Sequence, residues 1–122
     1  MAATTSNGVL VERPEPEDGD PLCTCVFQLP RSYNDGVPVE REAESLIFDM
    51  LNQWFGGWTD LGTCKGCWQG VKERSRRIEV TVPRSRVREL RTLVHLFGQH
   101  IRQQEMYFTV TKAEAELIRV SG

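Results

Sequence analysis

The sequence predicts an α+β domain in which four strands form one antiparallel sheet with two helices on one of its faces, in the chain order β-α-β-β-α-β. Three observations predict it. An apolar stripe at helical spacing runs from Ala43 to Phe55. A period-two alternation follows at Arg76 to Val82, where Ile78, Val80 and Val82 face one way and Arg77, Glu79 and Thr81 the other. A second helical stripe, Val87, Leu90, Val94, Phe97 and Ile101, then leads into the strand-forming run Met106-Tyr107-Phe108-Thr109-Val110.

The first strand is expected at Leu22 to Leu29, with Cys23, Cys25, Phe27 and Leu29 on one side and Thr24, Val26 and Gln28 on the other. Turn chemistry at Ser32-Tyr33-Asn34-Asp35-Gly36 ends it. In the first helix Ala43, Leu46, Ile47, Met50, Leu51, Trp54 and Phe55 form the stripe, and Glu40, Glu42 and Glu44 put negative charge at the positive N-terminal end. Gly56-Gly57 closes it, because glycine takes the left-handed C′ conformation without steric cost. Trp58 to Trp68 is a strand interrupted by Gly62 and Gly66, which predicts a bulge or a close backbone approach, and Gly70 to Arg74 is the expected connection to the next strand. Ser85 is the expected N-cap of the second helix, which Gly98 weakens near its end. Leu117 to Val120 is expected to add a short strand after the polar segment from Thr111 to Glu116.

A chain of 122 residues has the size of one domain. Residues 1–20 hold Pro14, Pro16 and the acids Glu12, Glu15, Glu17, Asp18 and Asp20, a composition that predicts a flexible tail ahead of a single domain over 21–122. With 39% apolar and 26% charged residues the chain reads as an ordinary globular protein, and its apolar runs are too short to span a bilayer. The first residues lack a basic and then apolar leader, so a cytoplasmic location is expected. The net charge of −2 hides a segregation: Met1 to Cys64 carries 3 basic against 11 acidic residues, whereas Lys65 to Arg102 carries 10 basic against 3 acidic. Such halves attract one another within a fold or across a dimer.

From Val26 to Val120 the sequence resembles a loose group of small bacterial ferredoxin-like domains, with the βαββαβ sandwich as its implied fold. The resemblance is carried by Gly56-Gly57-Trp58-Thr59, Gly66-Cys67-Trp68, the strand Arg76 to Val82, and Gln104-Glu105-Met106-Tyr107. It implies no activity and supplies no catalytic residues.

Among candidate sites, Cys23-Thr24-Cys25 with Cys64-Lys65-Gly66-Cys67 offers four thiolates for a structural zinc, a CxxC on a glycine-containing turn being a common way to present two of them. That reading sets the start of the first strand and the end of the second at one end of the sheet, two strand spacings or roughly 9–10 Å apart. The competing reading is four ordinary thiols in a reducing compartment, with Cys23 and Cys25 serving as small buried hydrophobes. His95 and His100 lie five apart and do not form the i, i+4 pair of a helical metal site. No phosphate-binding loop, dinucleotide fingerprint or Ser-His-Asp pattern is present.

The expected function is a non-catalytic binding or assembly module. It would use its helix-free sheet face, through Trp58, Thr59, Trp68, Gln104, Glu105 and Tyr107, to meet a second copy, another protein or a small-molecule ligand. Three alternatives come from other classes. One is a zinc-stabilised module on Cys23, Cys25, Cys64 and Cys67. Another is a small enzyme with a pocket near Glu105 and Tyr107. The third is a polyanion or RNA binder through Arg74, Arg76, Arg77, Arg84, Arg86, Arg88 and Arg91, which the net acidity of the chain disfavours.

Overall fold

The alternation of small and apolar residues in β3 (Leu22–Pro30) places it at the centre of a four-stranded sheet. The computed structural model describes residues 3–6, 9–12 and 19–120. A short hairpin of β1 (Ala3–Ser6) and β2 (Val9–Glu12) lies at the N-terminal end of the chain. The Pro14 to Asp18 segment falls outside the described residues. The domain proper continues with α1 (Arg41–Phe55), β4 (Thr59–Trp68), β5 (Val71–Pro83), a single 3-10 turn (Arg84–Arg86), α2 (Val87–His100) and β6 (Phe108–Ala115). The sheet order is β4-β5-β3-β6, and each neighbouring pair is antiparallel.

One face of this sheet and both helices share a single core. Cys25, Phe27 and Leu29 of β3 and Ile78, Val80 and Val82 of β5 pack with Ile47, Leu51 and Phe55 of α1. Leu90, Leu93, Val94, Phe97 and Ile101 close the same cluster from the side of α2. The Phe27 and Phe97 rings meet with centroids 5.9 Å apart. The stripe expected on α1 is narrower than its periodicity suggests: Leu46 and Trp54 are exposed, and Phe48, outside that stripe, stacks on Trp58 with centroids 4.3 Å apart. The chain reverses after Gly56, whose φ of 78° is the left-handed C-cap expected there, and this return is what brings Trp58 back over the helix.

Several boundaries depart from the sequence reading for local reasons. Gln69 (φ 50°) and Gly70 (φ 80°) both have the positive φ of a tight two-residue hairpin, so β5 starts at Val71 and no five-residue connection exists. The expected bulge in β4 is present: register shifts between Asp60 and Thr63, around Gly62 at φ 99°. Ser85 does not cap α2. Its amide and hydroxyl instead donate to Asp20, at 2.9 and 2.7 Å, which ties the segment before β3 to the start of the helix and holds the Asp20 carboxyl below its ordinary range. β6 runs through Ala115, taking in polar residues expected to lie outside it, whereas 116–120 has no regular structure and exposes Leu117, Ile118 and Val120.

Gly98 belongs to α2 for a packing reason. A Cβ there would stand 2.7 Å from Cγ of Met106, so only glycine lets the segment before β6 lie this close to the helix. Gly98→Ala gains helix propensity of about 1 kcal/mol but overpacks the contact by about 2 kcal/mol, and a net loss near 1 kcal/mol is expected in a denaturant titration. Met106→Ala in the same background restores the room and should return the propensity gain of Gly98→Ala.

Candidate functional site

Among the described residues no helix lies on the opposite face of the sheet. Across β6, β3, β5 and β4 its register rows read Thr111-Thr24-Thr81, Thr109-Val26-Glu79-Thr59, and Gln28-Arg77, with Ser75 next to Cys64. The face is thus mostly hydroxyl and carboxamide around one buried Val26, with Arg77 and Glu79 two positions apart on β5. At one end a polar ladder links three strands: Ser75 Oγ donates to Gln28 Oε1 at 3.2 Å and lies 3.0 Å from Cys64 Sγ.

Beside that ladder opens a groove of about 850 Å³. Gln28 and Ser75 form part of its floor, Cys67, Gln69 and Glu73 come from the β4–β5 hairpin, and the segment Gln103 to Phe108 forms the other wall. Three expected binding residues, Gln104, Glu105 and Tyr107, therefore share one wall, and Tyr107 is 53% exposed. Trp58 and Thr59 do not join them. Trp58 lies on the helix-covered side, stacked on Phe48, with its indole N–H donating to Asn52 Oδ1 at 3.0 Å. Thr59 is on the helix-free face at the far end of β4, opposite Glu79. The side chain of Trp68 lies outside the described residues.

The wall from 103 to 108 is held by the way α2 ends. Gln103 N–H donates to Gly98 O and Arg102 N–H to Gln99 O, a reversal that puts Arg102 at a φ of 55°. A non-glycine residue in this conformation costs about 1 kcal/mol, and the Arg102 guanidinium offsets it by lying 4.0 Å over the Tyr33 ring. Tyr33 in turn donates its phenol to Glu40. That hydrogen bond raises the Tyr33 pKa and lowers that of Glu40. This cluster fixes the turn next to Asn34, at the edge of the groove.

The four cysteines do not converge. β3 and β4 both run antiparallel to β5, so they are parallel to each other, and the start of β3 lies at the opposite end of the sheet from the end of β4. Cys23 is opposite Val82, whereas Cys67 is opposite Lys72, a separation of roughly 30 Å along β5. The assumption that these ends coincide is therefore corrected, and with it the four-thiolate zinc shell. Among the described residues no cluster of three or more His, Cys, Asp or Glu side chains could hold a metal ion. Burial, followed by the neighbouring Cys23, pushes the Cys25 thiol up to about 11, which keeps it protonated as a core side chain.

Nor do the arginines form one face. Arg76 is on the helix-covered side, bonded to Glu44 at 3.2 Å and to Asp60 at 2.6 Å with its guanidinium over Phe48, whereas Arg77 is on the helix-free side. Arg86 bonds Glu89 and the Trp54 carbonyl and lies over Phe55, and Arg91 lies over Phe108. Arg76, Arg86 and Arg91 are thus engaged in the fold, a role the charge count could not disclose. Among the described residues no helix is long and apolar enough to cross a membrane. No protein-family model matches the chain, and neither a curated protein nor a solved structure matches it.

Proposed function

We propose that the protein is a non-catalytic assembly module of ferredoxin-like build that pairs with a second copy of itself through the helix-free face of its sheet. The fold reading is supported by the order β4-β5-β3-β6 with every pair antiparallel, which interleaves the two β-α-β halves. The observation that carries the pairing is the placement of Arg77 and Glu79 on that face, with Val26 beside them. A two-fold axis close to residue 78 sets Arg77 of one copy against the partner's Glu79, and Glu79 against the partner's Arg77. An isologous interface requires this self-complementarity. The surrounding threonines, Thr24, Thr81, Thr109 and Thr111, supply short side chains over which two sheets can approach.

Sedimentation velocity from low micromolar to near-millimolar concentration tests the reading. The wild-type chain is expected to dimerise. Arg77→Glu sets four carboxylates together and should weaken association about tenfold or more, and Arg77→Glu combined with Glu79→Arg should restore it. A monomer throughout the range, or a dimer indifferent to Arg77→Glu, overturns the proposal.

A further inference from the structure

A second cleft, of about 200 Å³, lies on the other side of the 103–108 wall, between that segment and the C-terminal half of α2. We propose that it is a binding site for a small organic carboxylate. Arg91, His95 and Gln99 line it from the helix, and their i, i+4, i+8 spacing puts all three on one helical face. Gln103 and Gln104 close it from the loop, and Val94, Met106 and Phe108 give it an apolar lining.

Each part has a role in recognising such a ligand. The Arg91 guanidinium carbon lies 5.5 Å from the centre of the Phe108 ring, which places a planar group able to donate two parallel hydrogen bonds to a carboxylate at the mouth of the cleft. His95 and Gln104 supply further hydrogen-bonding groups. Val94 and Met106 suit an apolar body rather than a bare inorganic anion. Glu105, among the lining residues, selects against a dianion such as phosphate, because one arginine cannot offset both that carboxylate and a doubly charged ligand. The volume is below that of pockets for drug-sized molecules, so the ligand is smaller than these.

Benzoate and its neutral counterpart benzamide are the probes, followed by amide chemical shifts on the full chain. Benzoate is expected to shift Gly98, Gln99 and the 104–106 amides in a saturable way, and benzamide to leave them in place. Arg91→Gln should weaken benzoate about tenfold or more, whereas Arg88→Gln, the same charge change elsewhere on α2, should leave it unchanged. Equal responses to the two probes, no saturable response, or benzoate binding that survives Arg91→Gln overturns the proposal. The comparison of probes on the wild-type chain stands even if the variant folds poorly.

Discussion

Phe27→Ala is expected to destabilise the domain by about 4 kcal/mol and to lower its melting temperature by roughly 15 °C, measured by denaturant titration and thermal scan. Phe27 is 0% exposed on the central strand. It is flanked in register by Ile78 on one side and Phe108 on the other, and its ring meets Phe97 of α2. Truncation therefore removes contacts to both neighbouring strands and to a helix at once. The cavity lies under a layer that cannot collapse without moving α2. Phe27→Leu retains most of the volume and should cost less than half as much.

Arg76→Gln is expected to cost about 2 kcal/mol near neutral pH and to change the acid limb of the stability profile. The guanidinium is partly shielded, donates twice to Asp60 and once to Glu44, and lies over Phe48, so its loss removes three charged hydrogen bonds and leaves two carboxylates without their shared cation. Arg76 is the first cause that holds the Asp60 carboxyl below its ordinary 3.8, with the Gly62 amide second. A carboxyl depressed in the folded state contributes stability that is complete above its unfolded value and is lost as pH falls through the folded value. The wild-type chain should therefore lose stability below about pH 4, and the variant, already lacking this contribution, should show a shallower decline there. Parallel profiles for the wild-type chain and the variant down to acid pH would show that Arg76 acts through packing alone. At the alkaline end the raised Tyr33 phenol works in the opposite sense. Its contribution is complete below its unfolded value of 10.0 and is lost as pH rises through the folded value.

How far the sequence anticipates the structure depends on whether a feature is periodic. The alternation of Ile78, Val80 and Val82, the stripe Ile47-Leu51-Phe55 and the Gly56 stop are repeating or local signals, and each appears in the structure at its expected place. Phe48 and Trp58 escaped because their contact depends on how the chain re-enters after Gly57, which no stripe on either element records. The polar residues of β6 looked like a loop because an edge strand needs no apolar alternation on its outer part. The zinc arrangement failed on strand direction: CxC and CxxC pairs are visible in sequence, but only the pairing of β3 and β4 to a common β5 shows that they point to opposite ends. Gln104, Glu105 and Tyr107 were singled out as fragments of a resemblance. Their groove needed the 28, 75 and 103–108 segments brought together from distant parts of the chain.

The central position of β3 also sets the order in which the domain can assemble. During synthesis β3 emerges well before either of its neighbours, because its partners are the far-downstream β5 and β6. The β4–β5 hairpin closes over two residues and can form as soon as it is made. Until that hairpin docks and β6 has been translated, the two edges of β3 have no permanent partners, and loop closure must precede most of the pairing that rewards it. Folding of this chain is thereby coupled to completion of its last strand, and a chain stopped before Phe108 retains a bare edge on its most hydrophobic strand.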